Sequence, residues 1–118
     1  MAIDSGPAEA AVAAFREGIR LLTGEPVMRR LLQLDGDFTA VTGMYDEART
    51  FLISAATAMA KALRSAGATM SDDDLLAVSE LHIRLAASLV QVSSEVLDVT
   101  DDDAVAAYAR THLAPLVR

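Results

Sequence analysis

Residues 75 to 92 constrain this chain most, because read as a helix they are apolar on two faces at once. Leu75, Val78, His82, Leu85, Leu89 and Val92 recur at helical spacing on one face, and Leu76, Ile83, Ala87 and Val90 recur on another. One small core does not readily cover both. Full burial of a Leu, Ile or Val is worth about 1.5–3 kcal/mol, so leaving Leu76, Ile83 and Val90 in water forgoes roughly 4–9 kcal/mol. Whole domains are stable by only about 5–15 kcal/mol. A partner surface is therefore expected for the second face, and a second copy of the chain is the commonest partner.

The 118 residues of the chain are enough for a single domain with one sizeable core. Hydrophobic residues make up 53% of the chain, aromatics only 4%, and Ala and Leu dominate, so the expected fold is all-α. Ala8, Val12, Phe15, Ile19 and Leu22 predict a first helix from about Pro7 to Thr23, closed by Gly24. A short second helix is expected after Glu25-Pro26 and is broken by Asp35-Gly36-Asp37. Phe38 to Gly43 reads as another brief turn of helix, and Tyr45 to Ala66 as the longest periodic segment, stopped by Gly67. Ser71-Asp72-Asp73-Asp74 caps a helix running to about Ser94. Thr100-Asp101-Asp102-Asp103 opens the last helix, whose Val105, Tyr108, Ala109 and Leu113 face inward and which Pro115 ends. The expected architecture is an antiparallel bundle of about five helices.

A net charge of −7 and scattered basic residues argue against a grip on a phosphate backbone by this chain alone. The Arg29-Arg30 doublet reads as a solvated helix face. No start resembling a secretory signal and no apolar stretch of about 20 residues is present, so a cytoplasmic location without membrane contact is expected. The chain has no Cys, which removes disulfides and thiolate chemistry. Both Asp triplets fall where helix starts favour negative charge and neither continues into a calcium loop, so they read as caps with no metal site. His82 and His112, the two imidazoles, lie thirty positions apart without further zinc ligands. No nucleophile elbow, phosphate loop or zinc-protease motif occurs. The chain is thus not expected to be an enzyme or to hold a cofactor.

Two readings stay open for the Met and aromatic residues. Met28, Phe38, Met44, Tyr45, Phe51 and Met59 either wall a cavity for a ligand or fill an ordinary core. His82, flanked by Leu81 and Ile83, is likewise either a core or interface histidine or the polar anchor of such a pocket.

The phrases Ile83-Arg84-Leu85-Ala86-Ala87-Ser88-Leu89, Ser94-Glu95-Val96-Leu97-Asp98-Val99, Asp101-Asp102-Asp103-Ala104-Val105 and Tyr108-Ala109-Arg110 with Leu113-Ala114-Pro115-Leu116 follow one another in order. On these the chain, from about Ala11 to its end, resembles the C-terminal effector-binding and dimerisation domain of the TetR family of transcriptional regulators, of the actinobacterial type. The resemblance implies a homodimer in which the last two long helices of each subunit form a four-helix bundle. The surface would run over Asp72–Ser94 and Asp102–Leu116, with Leu76, Ile83, Ala87, Val90, Ala106 and Leu113 at its centre. It also implies an effector pocket between Val27 and Leu63, with His82 or Leu85 on one wall. Met28, Leu31, Phe38, Thr42, Met44, Tyr45, Phe51 and Met59 complete that lining, and Thr42, Tyr45 and His82 would orient the polar end of a small apolar or amphipathic effector. The family's N-terminal helix-turn-helix head has no counterpart here, so DNA would be reached only through a domain outside this sequence. The expectation is a truncated regulator or a stand-alone sensing relative. The alternative function is a structural dimerisation or partner-binding module without a ligand.

Overall fold

The computed structural model describes residues 6–24 and 38–118, with the backbone alone for residues 38–48. Among the described residues the chain is all-helical and contains four α-helices. These are α1 (Gly6–Gly24), α2 (Phe38–Ser65), α3 (Asp72–Gln91) and α4 (Asp102–Tyr108). A π-helical turn, Ala109–Leu113, and a 3-10 turn, Ala114–Leu116, continue α4. The short helix expected after Pro26 lies outside the described residues.

Helix α1 buries Ala11, Val12, Phe15, Ile19 and Leu22, while Ala8 in its first turn is exposed. It lies against each of the other helical elements and so occupies the middle of the fold. The two separate segments expected from Phe38 to Ala66 form one continuous helix, α2, running through Gly43. A single interior glycine costs about 1 kcal/mol against alanine, too little to end a helix without a proline or a capping side chain beside it.

The turn from α2 to α3 is closed by several independent contacts. Gly67 takes φ +110°, its N–H donates to the Arg64 carbonyl, and the Ala68 N–H donates to the Leu63 carbonyl. This is a Schellman ending, with Ala68 and Leu63 both buried in one apolar cluster. The Arg64 guanidinium spans the turn, donating to the carbonyls of Ala68 and Met70 and to Asp72. The Thr69 and Met70 amides donate to the Arg118 carbonyl at 2.7 and 2.9 Å, which lays the C-terminal segment along the turn.

Helix α3 starts as its sequence predicts, with the Ser71 hydroxyl accepting from the Asp74 amide at 3.1 Å. It stops at Gln91, three residues before Ser94. The Ser94 hydroxyl instead accepts from the amides of Val96 and Leu97, and this local competition for the backbone turns the chain out of the helix. Asp98 then accepts from the Thr100 amide and hydroxyl, and Asp101 caps α4 by accepting from the Ala104 amide. Pro115 has no N–H to continue the helical ladder and its ring crowds the carbonyl four residues earlier, which accounts for the widened turn just before it.

Two apolar clusters form the interior. The first joins Val12, Phe15, Ile19 and Leu22 of α1 to Ala86, Leu97, Val105, Ala109, Leu113 and Ala114. The second joins Ala11 to Met59 and Leu63 of α2, Ala68 and Met70 of the turn, Leu75 and Ile83 of α3, and Val117. Helix α3 serves both: Leu75 and Ile83 enter the second cluster and Ala86 the first.

Candidate functional site

The inward face of α3 consists of Leu75, Ser79, His82, Ile83 and Ala86. Ser79 and Ala86 were absent from the apolar faces read in sequence. Their signal was their position, four and eleven residues after Leu75, on the same side of a helix. Small residues there allow close approach. A Cβ built on Gly18 of α1 would lie 4.0 Å from the Ala86 Cβ, which locates the crossing of the two helices.

The second face expected from sequence is covered in part within the protomer. Ile83 belongs to the second cluster and Leu113 to the first, while Ala87, Val90 and Ala106 are half-buried against the first. Leu76, at 44% exposure, is the largely exposed member of the six expected interface residues. The exposed apolar stripe lies on the other flank of α3. Val78 and Leu85 are half-buried along its edge, Leu81 and Val92 are 51% and 67% exposed, and Ser88 between them is exposed. The intervals 78, 81, 85, 88 and 92 alternate three and four residues, the seam spacing of helices that pair. From periodicity, Val78, Leu85 and Val92 share the face of Leu75 and His82.

Of the residues expected to line a pocket, Met28 and Leu31 lie outside the described residues. Phe38, Thr42, Met44 and Tyr45 fall on the first turns of α2, where the side chains lie outside them too. Met59 is buried in the second cluster, Phe51 is half-buried between the two clusters, and Leu85 packs at the edge of the first. Open clefts are found among the described residues. One of about 430 Å³ runs between α1 and the segment entering α4, with Arg16, Arg20 and Asp102 at its rim and Ile19, Val99 and Val105 on its walls. Another, of about 480 Å³, follows the groove between α2 and α3 past Thr57, Ala60, Arg64 and Leu76.

His82 has no exposure at all. Its Nδ1 lies 2.7 Å from the Val78 carbonyl, one turn earlier on the same helix. A carbonyl only accepts, so Nδ1 carries the proton and Nε2 of the neutral ring presents a lone pair. Among the described residues no group reaches Nε2 in hydrogen-bond geometry, and the Ser79 hydroxyl, also fully buried, is likewise without a partner there. Burial holds the imidazole pKa below its ordinary value, opposed in part by the backbone carbonyls of Val78 and Leu113.

Charge at the surface is arranged to hold α4 on α1. Arg16 donates from two nitrogens to Asp102, and Arg110 donates at 2.9 Å to both carboxylate oxygens of Glu9. The hydrogen bonds from these guanidiniums hold the carboxyls of Glu9 and Asp102 below the usual range. Between the pairs, Phe15 stacks on Tyr108 with ring centroids 6.3 Å apart, and Tyr108 meets His112 at 5.0 Å. Among the described residues no three His, Asp or Glu side chains are grouped to hold a metal ion, and no helix is long and apolar enough to cross a membrane. Comparison with protein-family models, with curated proteins and with solved structures finds no match in any of the three.

Proposed function

We propose that this chain is the effector-binding and dimerisation domain of a TetR-like regulator, assembling as a homodimer through α3. Joined to a DNA-binding head, a dimer of this kind would release DNA when a small apolar or amphipathic molecule favours one arrangement of its subunits, through a coupling of about 1–3 kcal/mol. One observation carries the assembly half of this reading: along the seam Val78, Leu81, Leu85, Ser88 and Val92, Leu81, Ser88 and Val92 remain exposed after both clusters are filled, while Val78 and Leu85 are only half-buried. A two-fold axis across α3 would pair this seam with itself and bring the small Ser88 to the crossing. The regulatory half rests on the phrases of the last two helices that resemble the family.

Sedimentation velocity at micromolar concentration tests the assembly. The expected species is a dimer, and exchanging Leu81 and Val92 together for Arg is expected to leave a folded monomer, since both side chains already stand in water in the protomer. A monomeric native chain, or a doubly substituted dimer, would sink the reading.

A purely structural dimerisation or partner-binding module is the second reading. It is favoured by the packing of Met59 and His82 within the interior. A lipophilic ligand panel in thermal-shift assays separates the two. A ligand present at a hundred times its Kd adds about 2.7 kcal/mol to the folded state. A flat panel leaves the structural module.

A further inference from the structure

We infer that the cleft between α1 and the segment entering α4 binds a small amphipathic carboxylate, its anionic head on Arg20 and its aliphatic body on Ile19, Val99 and Val105. This deepens the effector half of the proposed function, and rests on that reading only for what binding would achieve. The cleft, of about 430 Å³, is of the size that small-molecule sites have, roughly 300–1,000 Å³. Its apolar lining comes from both sides: Ile19 of α1 and Val105 of α4 are buried, and Val99 between α3 and α4 is half-buried. No aromatic ring lines it, so it suits an aliphatic body better than a planar one.

Three charged side chains line the cleft, the guanidiniums of Arg16 and Arg20 and the carboxylate of Asp102. Asp102 is engaged through both oxygens, Oδ1 accepting from Nε of Arg16 and Oδ2 from one of its terminal nitrogens. These two groups neutralise one another, and the charge left over is that of Arg20. Its ion partner among the described residues is Glu17, three residues earlier on the same helix at 3.1 Å, with both side chains more than half exposed. A surface pair of this kind contributes little and exchanges readily for another anion. A cationic head is disfavoured, because the one carboxylate lining the cleft is already occupied.

Two hydroxyls decide where the head sits. Thr23 donates to the carbonyls of Ile19 and Arg20, and Thr100 donates to Asp98, so both threonines of the lining offer a ligand acceptor oxygens. A carboxylate only accepts. The Arg20 guanidinium, less engaged than that of Arg16, is therefore the donor open to it, and its planar fork matches a carboxylate through two parallel N–H···O bonds. A molecule seated there would bridge α1 to the start of α4 beside the Arg16–Asp102 pair, giving an effector a hold on the element that follows the α3 seam.

Titration of the native chain with octanoate, read by NMR amide shifts and by calorimetry, tests the site. Saturable binding is expected, with shifts concentrated at residues 16–23 and 99–105, and at least about tenfold tighter than for octanol or acetate. Arg20→Gln, at an exposed position outside both clusters, is expected to weaken octanoate by about tenfold, whereas Lys61→Gln in the groove between α2 and α3 leaves the affinity unchanged. Absence of saturable binding overturns the site, as do equal affinities for octanol and octanoate, undiminished affinity in Arg20→Gln, or shifts confined to the groove between α2 and α3. Failure here is distinguishable from failure of the proposed function. Sedimentation of the same samples reads the dimer separately, and a thermal-shift ligand whose amide shifts lie away from residues 16–23 and 99–105 would keep the effector reading while overturning this site.

Discussion

The two apolar flanks of α3 differ in what reaches them and not in what they are made of. One carries Leu75, Ser79, His82, Ile83 and Ala86 and is closed by α1, α2 and the C-terminal turn. The other carries Val78, Leu81, Leu85, Ser88 and Val92 and meets water along most of its length. The closed flank includes the more polar residues, a serine and a histidine, whereas the open one has four large aliphatics. Hydrophobicity alone therefore did not choose the buried side. Where α3 crosses α1, the small Ala86 faces Gly18, whose Cβ position lies 4.0 Å from the Ala86 Cβ, and this pair lets the two helices approach.

Truncation on each flank tests this contrast most strongly. Leu75→Ala, at a position only 2% exposed, is expected to cost about 2–5 kcal/mol by urea denaturation, as cavities in packed cores do. Leu81→Ala at 51% exposure should stay within about 0.5 kcal/mol when measured on the protomer, at concentrations too low for assembly. Similar losses at both positions would mean that the open flank is covered within one chain.

Two glycines bracket the same helix and should respond with opposite signs. Gly67→Ala places a side chain at φ +110° and is expected to destabilise by about 1–3 kcal/mol although its surroundings have room. Gly18→Ala puts a methyl at ordinary contact distance from Ala86 in a helical backbone, and a gain of about 0.5–1 kcal/mol is expected. A loss at Gly18 would show that the crossing behind the closed flank is tighter than 4.0 Å implies.

The smallest effect concerns the ion pairs that hold the C-terminal element over the closed flank. Arginine partners keep the carboxyls of Glu9 and Asp102 below their ordinary values. Their contribution is therefore present above the unfolded carboxyl value of about 4 and is lost as pH falls through the lowered folded values. Both pairs are exposed, so the melting-temperature difference between the native chain and Glu9→Gln should be slight at low salt and vanish at high salt. A difference that persists in high salt would indicate that Glu9 acts by packing.

Local signals in the sequence were legible because each is decided within one turn of chain. Ser71 and the first Asp of its run mark the start of α3, Asp101 marks that of α4, and Gly67 marks the end of α2 through its backbone freedom. Gly43 misled because a lone glycine resembles a stop signal and the cost of passing it is small. Ser94 misled in the other direction, extending α3 by three residues, since its hydroxyl can either follow a helix or turn the chain.

The sequence by itself determined that the chain is helical, where its helices are capped, and that α3 is apolar over more of its circumference than a half-buried helix requires. Only the tertiary structure decided which flank of α3 is closed, that Ile83 and Leu113 belong to the protomer's own interior, and that His82 and Ser79 are buried there with them. A cap is a hydrogen bond between residues three apart and depends on little else. A buried face depends on helices brought from α1 and from beyond residue 100, and periodicity within one helix contains no information about which side they will occupy.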